Sequence, residues 1–299
     1  MKKLKLIFIV AVAIILDSCG TTHVVPITGR QQKLLITDEQ VLSLSNQEYA
    51  KYMQTAKRST NEINTTMVKC VGQRLATAVE KYLVSNGLAA ELRQYSWEFN
   101  LIQDKQANAF CMPGGKIVVY EGLLPYTQTE AALAIVLGHE IAHAVAKHSA
   151  EQMSKQIKNQ YGVQILGSVL GATVGNSTAQ LAQIIAQNSL QFRTLKFSRR
   201  NELEADHMGL IFAAMAGYDP QVAIPFWQRM SQGKGKQSDW LSDHPSDSKR
   251  IIALQQEMPE ALKYYNTAKQ TKINLNNSST ILKAVRNASK KTYKSSKHK

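Results

Sequence analysis

The chain of 299 residues carries 36 Lys and Arg against 22 Asp and Glu, for a formal net charge of +14, and only three cysteines. The charge is not spread over the chain. Residues 261–299 hold ten of the basic side chains and no Asp or Glu, and the N-terminal leader is also basic, so the stretch between is nearly neutral and carries no nucleic-acid signature. Three cysteines without informative spacing establish no disulfide and form no zinc–cysteine cluster; Cys70 and Cys111 are expected as free buried thiols.

At the N-terminus, Met1-Lys2-Lys3-Leu4-Lys5 is a basic start and residues 6–16 an apolar core too short to span a bilayer. Leu16-Asp17-Ser18-Cys19 then resembles a bacterial lipoprotein signal, with Asp17 departing from the usual small or apolar residue. The resemblance implies a signal peptide of residues 1–18, lipid on the Cys19 thiol and a periplasm-facing, outer-membrane location. An uncleaved or ordinarily secreted N-terminus is the alternative. Residues 19–260 suit a single domain with a large core. Residues 261–299 read as a flexible basic tail, with a short helix at 281–285. No internal repeat is evident.

Residues 95–102 and 116–120 read as extended stretches, rich in aromatic and β-branched side chains, with turn chemistry at Pro113-Gly114-Gly115. Thr127-x-x-Glu130 has the form of a capping box, and a helix is expected from Ala131 to about Ile157. Ala132, Ile135, Val136, His139, His143 and Ala146 make one stripe of it. His139 and His143, four apart, share a helical face and can share one zinc ion, with Glu140 beside them to hold a water. That pattern is the signature of a zinc-dependent peptide hydrolase; two satisfied core histidines are the alternative.

Catalytic zinc needs a third protein ligand and an open position. The arrangement with a third His six residues on is excluded, because Ser149 stands there and Ala146 replaces the turning Gly. His148 is one residue short and reads as structural or solvent-facing. A second helical stretch, 201–215, offers Glu202 and Asp206 on one face, the first to ligate zinc and the second to accept a ring N–H from a ligating His. Glu204 points about 160° away and is the poorer ligand. Between the two helices, residues 161–186 contain Gly162, Gly167, Gly171 and Gly175 among small apolar residues, interrupted by too many polar ones for a membrane span. Two short helices with a mobile turn near Gly175 are expected. His244-Pro245 lies in a loop beyond a Gly/Lys/Ser-rich stretch.

These residues together resemble the gluzincin metallopeptidases of the HtpX and CAAX-prenyl-endopeptidase type, in their periplasmic outer-membrane lipoprotein branch (BepA/LoiP-like). The resemblance rests on Asn108-Ala109-Phe110 with Pro113-Gly114-Gly115-Lys116-Ile117, Glu121-Gly122-Leu123, His139-Glu140-x-x-His143 and Ser198-Arg199. It continues with Glu202-x-x-Ala205-Asp206, Gly217-Tyr218-Asp219-Pro220 and His244-Pro245-x-x-x-x-Arg250-Ile251. It implies Glu202 as third ligand and a substrate-pairing strand edge at Asn108, Ala109 and Phe110; an ordinary core hairpin is the other reading of that edge. It also implies that His244 approaches the metal, either to stabilise the oxyanion or to close the open zinc position. Arg250 is expected to anchor that loop.

The fold expected is therefore α+β and mainly helical: a zincin-like metallopeptidase domain with a small β-sheet beside the active-site helix. The function expected is that of a zinc endopeptidase (one Zn²⁺ per chain) with Glu140 as general base, and His244 also near the reacting atoms. By resemblance the substrates are unfolded or misassembled envelope proteins, and the outer-membrane protein assembly machinery is a candidate partner. A peptide-binding, chaperone-like envelope lipoprotein without catalysis, or one held latent, is the rival reading. No nucleic acid is expected.

Overall fold

The computed structural model describes residues 21–169, 192, 195–232 and 248–296. Cys19 with the 1–18 leader, His244 and most of 161–186 lie outside them.

A short antiparallel hairpin, β1 (Thr21–Val24) and β2 (Gln31–Leu34), opens the described chain. Helices α1 (Asp38–Thr55) and α2 (Glu62–Ser85) follow. A three-stranded sheet comes next: β3 (Glu98–Ile102), β4 (Ala109–Met112) and β5 (Lys116–Tyr120), in the order β3-β5-β4. The expected turn at Pro113-Gly114-Gly115 joins β4 to β5, and both glycines have positive φ, +88° and +82°, where a side chain would be strained. The two stretches foreseen as extended, β3 and β5, are parallel neighbours, not the arms of the hairpin.

Side-chain alternation divides the sheet's two faces between two cores. Phe99, Leu101, Ala109, Ile117 and Val119 join the larger core, formed with α2 and the active-site helices. Ile102, Phe110, Met112, Val118 and Tyr120 face α1 and the helix after the motif. Lys57, Arg58 and Ser59 cover the outer edge of β3 through backbone hydrogen bonds and a bridge to Ile102. Among the described residues, the other edge, on β4, is paired with no strand, and β4 packs against the active-site helix.

A single turn, α3 (Leu124–Thr127), precedes the active-site helix α4 (Glu130–Val145). The cap of α4 is Thr129, whose hydroxyl accepts from the Ala132 amide. Thr127 is not the cap, because its hydroxyl is turned back to Leu124 O inside α3. Nor does α4 run on to Ile157. It stops at Val145, Lys147 takes φ +52°, and α5 (His148–Val169) starts in a new direction. Tertiary contacts impose this break. Gln32 donates to the terminal carbonyl of Ala146 at 2.7 Å, and the Lys147 ammonium is fixed by Asp38 at 2.8 Å and Glu91 at 3.0 Å.

Helix α6 (Arg199–Met215) begins at a Ser198/Asn201 capping box and crosses α4. Helices α7 (Ala223–Gln232) and α8 (Ser248–Ser296) close the domain, α8 packing along α6. The division expected after Glu260 falls inside α8, and the basic segment from 261 onward is helical to Ser296. Cys70 is exposed rather than buried, Cys111 half-buried, and both are free thiols. No described helix is long and apolar enough to cross a membrane.

The α4–α6 crossing is made by glycine against glycine. A Cβ on Gly138 would lie 2.6 Å from the Gly209 carbonyl oxygen, and a Cβ on Gly209 would lie 2.6 Å from the His139 amide. Neither backbone can yield without moving a helix. Gly209→Ala is therefore expected to cost ~1–3 kcal/mol, lowering the Tm by several degrees; an unchanged melt would show that the crossing is not tightly packed.

Candidate active site

The Gly138–Gly209 contact stands one residue before His139, so the two helices are closest where the site lies. His139 and His143 project from α4 one turn apart, and Glu202 and Asp206 from α6 in the same relation. All four are at most 4% exposed, and Glu140 is 2% exposed.

The His139 and His143 Nε2 atoms are 3.1 Å apart. Glu202 Oε2 stands 3.5 Å from the first, and Glu202 Oε1 3.6 Å from the second. Donors held at about 2.0–2.2 Å around a tetrahedral ion are separated by about 3.3–3.6 Å. Two imidazole nitrogens facing each other across a carboxylate are the donor set for a zinc-like cation, and among the described residues this is the one metal-competent cluster. The site residues foreseen from sequence on these two helices are therefore brought together.

Each ring is held from outside. His139 Nδ1 is 3.0 Å from Asp206 Oδ1, the contact expected of Asp206. Arg250, 1% exposed, grips that carboxylate with both prongs, Nε to Oδ2 at 2.6 Å and Nη2 to Oδ1 at 2.7 Å. Its Nη1 lies 3.3 Å from Glu202 Oε2, and its plane sits 4.0 Å over the Trp227 ring. Arg250 is thus a clamp on the metal-side carboxylates, a role that its sequence neighbours do not announce. Burial lowers the His139 pKa, but hydrogen bonds to Asp206 and Glu202 outweigh it and raise the value to about 9 in the metal-free site. Burial pushes the Asp206 carboxyl up, and the Arg250 charge more than reverses this.

His143 is stacked on Phe197 at 4.1 Å, and its Nδ1 lies 2.9 Å from His148 Nδ1. His148, fully buried, is structural rather than solvent-facing, because the break at Lys147 folds it back onto the site. Glu204 does point away from the metal cluster and bonds the far side of His148 at 3.0 Å.

Of the expected substrate residues, Ala109 and Phe110 are on the open-edge strand. The Phe110 side chain is committed to the core, edge-on to Tyr52 and Tyr120, so only its backbone is available for pairing. Asn108 precedes the strand, its side chain accepting from the Ala109 amide at 2.8 Å and its carbonyl from the Tyr120 amide. Cys111 neighbours Glu140 closely enough that burial and the carboxylate together raise its thiol pKa well above the usual value. His244 lies outside the described residues.

Residues 66–258 match the sequence profile of peptidase family M48. The chain belongs to this family. M48 metallopeptidases are zinc-dependent, in accord with the donor set formed by His139, His143 and Glu202. The human mitochondrial metalloendopeptidase OMA1 is 32% identical over 251 residues, 81% of this chain and 47% of the relative. The Arabidopsis thaliana OMA1 is 39% identical over 184 residues, 60% of this chain and 36% of the relative. A beta-barrel assembly-enhancing protease of Yersinia pestis is 33% identical over 162 residues, 52% of this chain and 33% of the relative. The chain thus spans half or less of the length of these curated relatives. M48 membership accords with the gluzincin expectation, while mitochondrial relatives stand beside the bacterial one.

The clamp can be tested without any substrate. Arg250→Met removes the guanidinium shared by two buried carboxylates, leaving His139 as their remaining cation, and is expected to destabilise the metal-free protein by ~3–5 kcal/mol in denaturant unfolding with chelator present. A loss below about 1 kcal/mol would contradict the clamp.

Proposed function

We propose that the protein is a zinc-dependent metalloendopeptidase acting on extended polypeptides. The observation that carries the proposal is the convergence of His139, His143 and Glu202 at tetrahedral spacing, with Glu140 on the same helix and the open edge of β4 alongside. His139, His143 and Glu202 would hold a zinc ion, which would supply Lewis acidity toward the scissile carbonyl and lower the pKa of water to about 7. Glu140 takes a proton from the attacking water on its carboxylate and delivers it to the leaving amine as the C–N bond breaks. Asp206 and Arg250 hold the His139 ring so that Nε2 faces the metal. The backbone of Ala109 and Phe110 pairs with the substrate chain, which selects extended peptides with little regard to sequence.

The setting we propose is the bacterial cell envelope, with the protein anchored through lipid on Cys19 at a periplasm-facing membrane surface and acting on unfolded or misassembled proteins. The Leu16-Asp17-Ser18-Cys19 signal and the resemblance to a beta-barrel assembly-enhancing protease support this setting. The peptidase unit begins at residue 19 and extends along α8 through Ala261, Tyr264 and Tyr265, which pack on the core, and the more distal basic segment is an appendage.

The test compares wild type with Glu140→Gln on an unfolded polypeptide. The variant is expected to bind about one zinc per chain yet lose cleavage by about 10²–10⁴-fold, and chelation should abolish wild-type cleavage until zinc is restored. Equal cleavage by both proteins would remove Glu140 from the reaction; peptide binding without cleavage by wild type would favour the chaperone-like alternative. Incorporation of labelled fatty acid, lost in Cys19→Ser, tests the anchor.

A further inference from the structure

Behind His143 lies a buried polar chain that the reaction described above does not use. His143 Nδ1 meets His148 Nδ1 at 2.9 Å, and His148 Nε2 meets Glu204 Oε2 at 3.0 Å. Glu204 in turn accepts from Arg30 Nε at 2.8 Å and from the Thr28 hydroxyl at 2.6 Å. Arg30 also binds Glu151 at 3.0 and 3.2 Å, and Glu151 accepts from Asn201 Nδ2 at 2.9 Å. His148 is 0% exposed, and the Glu204 and Glu151 side chains 6% and 5%.

We propose that His148 and Glu204, held by Arg30 and Thr28, are positioning residues for the metal ligand His143. The proposal rests on the assignment of His139, His143 and Glu202 as the metal ligands. With His143 Nε2 turned to the metal cluster, its proton belongs on Nδ1. That N–H can bond His148 only if His148 Nδ1 is an acceptor, which places the His148 proton on Nε2. Nε2–H then donates to the Glu204 carboxylate, where Arg30 and Thr28 already donate. Every donor in the chain meets an acceptor, and reversing any one proton removes the lone pair that His143 offers the metal.

The chain repeats, with one extra ring, what Asp206 and Arg250 do for His139. Asp206 sits on the same face of α6 as Glu202 and reaches His139 directly. Glu204 faces another way and reaches His143 only because the helix break at Lys147 brings His148 between them. A carboxylate transmitted through an imidazole fixes the rotation of His143 and increases its basicity as a ligand. The remote end of the chain is Thr28 and Arg30, in the loop and strand entry of the N-terminal hairpin and ahead of the 66–258 family match. That hairpin therefore belongs to the metal site's support.

The experiment measures zinc dissociation constants by competition with a chromophoric chelator, and the visible spectrum of the Co²⁺-substituted protein. The proteins are wild type, His148→Leu, His148→Gln and Glu204→Gln. His148→Leu is expected to weaken zinc binding by about 10–100-fold and to alter the cobalt bands. Gln keeps an acceptor toward His143 and a donor toward Glu204, so His148→Gln should recover most of the affinity; Glu204→Gln should fall between. Folded His148→Leu that binds zinc as wild type does and keeps the same cobalt spectrum overturns the proposal, since a merely structural role lowers only the melting temperature. If His148→Leu fails to fold, unchanged affinity and spectrum in Glu204→Gln overturn it equally. Wild type that binds no zinc would instead overturn the metal assignment beneath it.

Discussion

Helices α4 and α6 cross at Gly138 and Gly209 with no side chain between their backbones, and the rest of the site depends on that distance. His139 follows Gly138 immediately, while Glu202 lies about two turns and Asp206 just under one turn before Gly209. Helix α4 offers two donors, His139 and His143, which alone cannot surround an ion. Backbone contact at the crossing brings Glu202 of α6 within reach of both and sets Asp206 against the outer nitrogen of the His139 ring. A methyl group at either glycine separates the helices by more than the tolerance of a metal–ligand bond.

The second constraint is charge. Glu140, Glu202, Asp206, Glu204 and Glu151 are all buried, and burying carboxylates without compensation is prohibitive. The protein answers with two buried or nearly buried arginines, one on each side. Arg250 serves Asp206 and Glu202; Arg30 serves Glu204 and Glu151. Burial alone would raise the Glu204 and Glu151 carboxyls, yet their partners hold both at about 2: His148, Arg30 and Thr28 for Glu204, and Lys155, Asn201 and Arg30 for Glu151. A divalent cation between His139, His143 and Glu202 adds positive charge at the centre of this arrangement. Such a network is weak evidence of net stability, because the cost of taking its charges out of water offsets their attraction.

The parts of the site visible in the sequence were those encoded at helical spacing. His139, Glu140 and His143, and Glu202 with Asp206, follow from residues four apart on one face, and the turn at Gly114 and Gly115 follows from local chemistry. What escaped was tertiary in origin. The α4–α5 break contains no Gly or Pro; Gln32, Asp38 and Glu91 impose it from distant parts of the chain. Sequence leaves His148 either structural or solvent-facing, and the break decides for the first by turning it onto His143. Arg30 and Glu204 stand 174 residues apart, and Arg250 and Asp206 44 apart, separations at which no local pattern pairs them. The edge at Ala109 and Phe110 is implied by the family resemblance alone, and the parallel β3–β5 pairing has no local signal, because strands adjacent in space are separated in sequence by β4. Gly138 and Gly209 stand in helices that also carry several alanines, and only the fold shows that the two glycines touch.

The central claim is that two imidazoles and a carboxylate hold zinc on this crossing. Zinc K-edge X-ray absorption of the zinc-loaded protein reads those donors directly. Two imidazole nitrogens are expected at about 2.0–2.1 Å, completed by oxygen donors and no sulfur. A thiolate sulfur near 2.3 Å, or a shell with no imidazole, would contradict it.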